Sequence, residues 1–119
     1  MKRVVIESPL AGDVETNLRY VRACMHHCIS NDEAPFASHA LYTQPGVLDD
    51  NIPVQRELGI VAGFCWRDVA DLTVVYTDLG ITKGMQYGID DATRKGRPVE
   101  MRTLPNWNTT TSPATAGEE

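Results

Sequence analysis

Four short stretches carry the residues best able to do chemistry. The first is Ser8-Pro9-Leu10-Ala11-Gly12-Asp13, between an apolar run and a helical pattern. A helix N-terminus offers free N–H groups and the positive end of a dipole, which suit phosphate or carboxylate. Ser8 adds a hydroxyl, and Gly12 permits close backbone approach. The pattern is neither GxGxxG nor a P-loop, and a plain strand-to-helix connection capped by Asp13 fits it as well. The second stretch is Thr82-Lys83-Gly84, which opens another helix. Here Thr82 could donate to a phosphate and Lys83 neutralise it; the bland alternative is a Thr82 cap beside a solvated lysine. Third is Asp78, placed after a strand, where it could accept from a ribose hydroxyl or a base, or simply form a turn with Gly80. His39 and Tyr42 form the fourth. His39 could be a general acid or a hydrogen-bond donor, and Tyr42 could stack on a base or anchor its loop in the core. Sequence order alone assembles no Ser-His-Asp or Cys-His constellation.

Cys24, His27 and Cys28 share little more than one helical turn, but only His39 offers a further metal ligand. Structural zinc usually shows four ligands in paired spacings. Cys24 and Cys28 are therefore read as small buried hydrophobes, and no metal is assigned.

These residues need elements to position them. Arg3-Val4-Val5-Ile6-Glu7 reads as a strand buried on both faces. Val14, Leu18, Val21, Met25 and Cys28 form one face of a helix over about 14–30. Residues 34–39 are a candidate second strand, with Pro35 tolerable at its start. The aperiodic stretch 40–51 predicts a functional or mobile loop. Asp50 or Asn51 is the expected cap of the next helix, with Pro53 in its first turn. Val54, Leu58, Val61 and Cys65 are its apolar stripe, and it ends near Arg67. Leu72-Thr73-Val74-Val75-Tyr76 is a β-branched strand. A helix from about Thr82 carries Met85, Ile89 and Ala92 on one side and closes at Lys95-Gly96. A last strand begins near Pro98-Val99.

The order β-α-β-loop-α-β-α-β predicts a small three-layer α/β domain, Rossmann-like and doubly wound, with a mainly parallel sheet of four or five strands. The expected strand order, 2-1-3-4, puts the first and third strands side by side. Loops 8–13 and 78–84 would then flank one crevice at the topological switch point. Residues 1–104 form the expected domain and 105–119 a flexible tail, since Asn108 to Glu119 shows no apolar period.

The chain has 119 residues, enough for one core. Its net charge of −5 argues against nonspecific nucleic-acid binding. No apolar run approaches the roughly 20 residues needed to span a bilayer. Met1-Lys2-Arg3 is followed by too short an apolar run to suggest a signal peptide. Three cysteines without a framework of spacings read as reduced thiols, hence a cytoplasmic chain.

Three motifs carry a resemblance. They are Ser8-Pro9-Leu10-Ala11-Gly12-Asp13 with Asn17; the stretch 34–44 with Leu48-Asp49-Asp50 and Arg56-Glu57-Leu58-Gly59-Ile60; and Gly80-Ile81-Thr82-Lys83-Gly84-Met85 leading to Ala92 and Gly96-Arg97-Pro98-Val99. Together they make the chain resemble the nucleoside 2-deoxyribosyltransferase-like superfamily, and within it a branch common in bacteriophage and prophage genomes. The resemblance implies a small doubly wound sheet and a pocket for a nucleotide-type small molecule. It also implies a homo-oligomer, because relatives often complete each site across a subunit interface.

In the characterised enzymes a helical glutamate attacks the anomeric carbon of a nucleoside. Counting back four from Ala92, the matching position here is Gly88, so that carboxylate is absent. Glu7, Asp78 and Asp91 are the stand-ins to consider. The resemblance therefore implies ligand binding by Ser8, Pro9, Leu10, Gly12, Asp13, Asn17, His39, Tyr42, Asp78, Thr82, Lys83, Gly84 and Met85, with no catalytic residue and no cofactor. The expected function is to hold a nucleotide-derived molecule intact, as a phage protein sequestering an ADP-ribose-type or cyclic nucleotide signal would. The alternative is an N-glycosidase or deoxyribosyltransferase that uses another carboxylate.

Overall fold

The computed structural model describes residues 1–107. Its elements are β1 (Lys2–Glu7), α1 (Val14–Ser30), β2 (Glu33–Phe36), α2 (Ser38–Leu41), α3 (Pro53–Arg67), β3 (Leu72–Tyr76), α4 (Lys83–Arg94) and β4 (Val99–Arg102). The four strands form one sheet in the order β2-β1-β3-β4, and every neighbouring pair is parallel. Val4 lies opposite Leu72 and Glu7 opposite Val75, so β1 and β3 end level with each other. The chain leaves β1 toward β2 on one side and returns at β3 on the other. The switch point expected from the element order is therefore present.

The apolar runs explain which strands are central. Val4 to Glu7 and all of Leu72 to Tyr76 are buried, as strands covered on both faces must be. On one face Val4, Ile6, Val74 and Tyr76 pack with Tyr20, Val21, Cys24 and Cys28 of α1. On the other, Val75 packs with Met85 and Ile89 of α4, with Val99 beside them. Leu104 joins the first cluster, and Trp107 meets Tyr20 edge-on at 4.9 Å. The expected tail from 108 onward lies outside the described residues.

Three local expectations need correction. The second strand stops at Phe36, and Ser38–Leu41 forms a turn of helix within the stretch read as strand end and loop. Pro35 sits inside the strand, opposite Val4, which is tolerable because β2 is an edge. The cap of α3 is Ile52, without a side-chain bond, rather than Asp50 or Asn51. Asp50 instead pairs with Arg56 at 3.8 Å, and the Asn51 N–H donates to Asp49.

The third correction is the largest. The stripe Val54, Leu58, Val61 and Cys65 faces solvent, with Val54 67% and Leu58 56% exposed. The inward face of α3 carries Gly59, Gly63 and Arg67, also spaced by four. A side chain at Gly63 would collide with Ser38, its Cβ falling 2.7 Å from the Ser38 Oγ, so glycine lets α3 pack closely on α2. The element is helical as expected but turned the other way.

Candidate functional site

The carboxyl ends of β1 and β3 open into a cavity of about 510 Å³. β1 and its loop contribute Glu7, Ser8 and Leu10. The segment at α2 contributes His39 and Tyr42, α3 contributes Arg56, Phe64 and Arg67, and the start of α4 contributes Thr82, Lys83, Gly84, Met85 and Tyr87. The size is that of a small-molecule site.

Glu7 and Arg67 are the charged pair in its wall. Both are more than nine-tenths buried, and the Arg67 guanidinium donates to the Glu7 carboxylate. Burial pushes the Glu7 carboxyl up to about 7, against the opposing pull of Arg67. Arg67 also lies over the Phe64 ring, 4.7 Å from its centroid. Its Nε and Nη1 are buried without a hydrogen-bond partner among the described residues. Beside this pair, Ser8 Oγ and His39 Nε2 are 2.7 Å apart. Burial, helped by Arg67, lowers the His39 pKa to about 4. The imidazole is thus neutral at neutral pH and can either donate to or accept from Ser8.

The rim is built from caps. Thr82 Oγ accepts from the Met85 N–H at 3.2 Å, starting α4. Lys83 follows it, exposed and without an ion pair among the described residues. Tyr42 lines the cavity and also anchors its loop, because its hydroxyl accepts from Trp66 Nε1 at 2.8 Å.

The structure therefore brings Ser8, Leu10, His39, Tyr42, Thr82, Lys83, Gly84 and Met85 together. The other expected site residues stand elsewhere. Asp78 accepts from the Tyr20 hydroxyl at 2.7 Å and the Leu104 N–H at 3.0 Å, tying α1 to the chain after β4. Asn17 donates to the carbonyls of Leu10 and Ala11, which holds the first loop in shape. Asp13 caps α1 by accepting from the Thr16 N–H. Pro9 is buried within that loop and does not line the cavity. Gly12, at φ +99°, lines a shallower neighbouring depression formed with Val14 and Val47. Among the described residues, no group of three metal-ligating side chains comes together.

Sequence reasoning missed Arg56, Phe64, Arg67 and Tyr87. Arg67 had a signal: it continues the four-residue spacing of Gly59 and Gly63 on the face of α3 opposite the apolar stripe. Glu7 was considered only as a stand-in. Of its two rivals, Asp78 is engaged as described. Asp91 is buried among Arg94, Lys95 and Arg97, each at 3.1 Å. Neither lines the cavity.

A parallel β2-β1-β3-β4 sheet with helices on both faces and a cavity at its switch point defines a small Rossmann-like domain. The fold is shared with a solved 2-deoxyribosyltransferase from the psychrotolerant bacterium Bacillus psychrosaccharolyticus, described as a biocatalyst for nucleoside synthesis. The two superpose with a TM-score of 0.67 at 14% identity, over 91% of this chain and 77% of that one. Residues 2–102 match the family profile described as a domain of unknown function, DUF7768, and the chain belongs to that family. No curated protein matches it.

Proposed function

We propose that this protein binds a nucleoside or nucleotide-derived small molecule in the cavity between β1 and β3. The observation that carries the reading is the cavity's place and lining: a pocket of about 510 Å³ at the carboxyl ends of two parallel strands, with Ser8, His39, Thr82 and Lys83 converging on it. Lys83 and the N-terminus of α4 suit an anionic group such as a phosphate. Tyr42 and Tyr87 offer ring faces for a base. The shared fold with a deoxyribosyltransferase supports a nucleoside-type ligand over other anions of similar size. A phage-encoded chain of this kind could use the site to hold a host nucleotide signal.

Two further proposals go with this reading. A second copy of the chain covers the exposed stripe on α3. The setting is cytoplasmic, where the free thiols Cys24, Cys28 and Cys65 stay reduced.

The test is thermal unfolding of the protein with a panel of nucleosides, nucleotides and ADP-ribose derivatives. A ligand at 100-fold over its Kd adds about 2.7 kcal/mol of stability, a shift of several degrees. An unchanged melting temperature across the panel contradicts the reading.

A further inference from the structure

The charges of the cavity run against those of the chain. The whole sequence carries a net charge of −5. The cavity is lined by three cations, Arg56, Arg67 and Lys83, against two carboxylates, Glu7 and Asp50. Asp50 is paired with Arg56 at 3.8 Å. Lys83 stands in the first turn of α4, where the helix dipole favours an anion. Arg67 is the cation held in the wall. It is buried, and its guanidinium donates to Glu7 through Nη2 alone. Its Nε and Nη1 have no hydrogen-bond partner among the described residues. Buried donors left unpaired are costly, and an acceptor in the cavity relieves that cost.

Strand alternation sends Val4 and Ile6 toward α1 and Glu7 to the opposite face, against α4. There Glu7 fills the space that Gly88 leaves. A Cβ added at Gly88 would fall on the Glu7 carboxylate and within 2.6 Å of Arg67 Nη1. The α4 backbone thus closes the pair off on one side, and the cavity borders it on the other. An anion that enters must share one buried guanidinium with a carboxylate that has no room to leave. Two anionic groups so close do not both stay ionised.

We propose, taking the cavity as the ligand site inferred above but requiring no nucleoside in it, that its inner end is an oxyanion subsite: a phosphate-type group docks against Arg67, and Glu7 takes up a proton from solvent as it does so. Neutral Glu7 then offers an O–H donor in place of a repelling charge. Ser8 Oγ lies 2.7 Å from His39 Nε2. When the imidazole donates to Ser8, the Ser8 hydroxyl is free to donate to the oxyanion.

Glu7 is poised for this exchange. Burial pushes its carboxyl up to about 7, against the pull of Arg67 from α3 and with a smaller push from Asp91 of α4. His39 faces it from α2, its imidazole held neutral by a pKa lowered to about 4. Val75 of β3 lies beside it in the sheet. Arg56, Lys83, Asp50, Tyr42 and Tyr87 border the same cavity and are more exposed than Glu7. Glu7 holds its proton more tightly with the anion in place. Anion affinity is therefore highest at low pH and falls as pH rises through about 7.

The experiment is isothermal titration of the full chain with sulfate, a phosphate-like dianion whose own charge does not change across the range used. At pH 7, in two buffers of different protonation enthalpy, binding should take up roughly half a proton per sulfate, because Glu7 is then about half ionised in the free protein. The dissociation constant should rise about tenfold from pH 6 to pH 8. Glu7→Gln keeps the volume and an acceptor for Arg67. It should bind without proton uptake, and at pH 8 about tenfold more tightly than the wild type. Glu7→Gln combined with Arg67→Met should lose sulfate binding. If Glu7→Gln fails to fold, the wild-type proton count and pH profile decide alone. Free phosphate and adenosine 5′-monophosphate, compared at pH 7, identify the bearer. Tighter binding of the nucleotide means that the oxyanion belongs to a larger ligand, and equal binding means that the free ion is the ligand; both support the subsite. Sulfate binding with flat affinity and no proton uptake, undiminished binding in the double variant, or no sulfate binding at all overturns it. A chain that ignores sulfate but shifts with uncharged nucleosides keeps the nucleoside reading, and one that binds sulfate but no nucleoside keeps the oxyanion subsite alone.

Discussion

Glu7 and His39 sit on the same cavity wall and pull stability in opposite directions as pH changes. The folded-state pKa of Glu7 is raised from 4.5 to about 7. Its contribution is full below 4.5 and is lost as pH rises through about 7, because the folded chain holds a proton that the unfolded chain has released. The His39 pKa is lowered from 6.5 to about 4. Its contribution is full above 6.5 and is lost as pH falls through about 4. Between 4.5 and 6.5 the two slopes oppose each other. Replacing Glu7 by Gln removes the first, so the variant should gain stability with pH across this window more steeply than the wild type. Urea unfolding midpoints near pH 5 and pH 6.5 measure the difference directly. An identical pH dependence in the two proteins would mean that Glu7 does not carry its proton into this range.

At the scale of elements, helices and strands were legible where local pattern and tertiary role agree. Leu72–Tyr76 is a strand by its β-branched run, and its burial on both faces follows. Thr82 caps α4, the bland alternative weighed for it. α3 shows why pattern is not enough. Val54, Leu58, Val61 and Cys65 have the spacing of a buried stripe, yet the inward side carries half-buried Gly59 and buried Gly63 and Arg67. Two glycines and an arginine carry no hydrophobic signal, and close packing against Ser38 depends on side-chain absence. Apolar periodicity finds the helix but not which face the rest of the molecule wants. An exposed apolar stripe along one helix face is a surface on which a partner can dock. With a second copy as the proposed partner, the wild type should run as a homo-oligomer in light scattering. Leu58→Glu, at a 56% exposed position, should run as a monomer with the unfolding stability of the isolated chain little changed. An unchanged mass for the variant, or a monomeric wild type, would contradict the partner.

At the scale of the molecule, strand order and switch point could be read from the succession of elements, because parallel crossovers leave few choices. Half the site followed from that topology: Ser8, His39, Thr82 and Lys83 meet where the segments that follow β1, β2 and β3 must meet. The other half comes from long-range packing that no local pattern encodes. Arg67 reaches the cavity because α3 is turned inward by its glycines. The fit of Glu7 against Gly88 exists only once β1 and α4 are side by side. Asp78 shows the reverse case, since its place after a strand suggested a ligand group, but Tyr20 and Leu104 claim its carboxylate. The central claim is that one cavity, at the ends of β1 and β3, takes a nucleoside-type molecule. Its most direct test is an amide NMR titration of the protein with the nucleotide that gives the largest melting shift. The account predicts that perturbed signals concentrate at Ser8, Leu10, His39, Thr82, Lys83 and Gly84. Perturbations centred on the outer face of α1 or α3, with these amides unmoved, would contradict it.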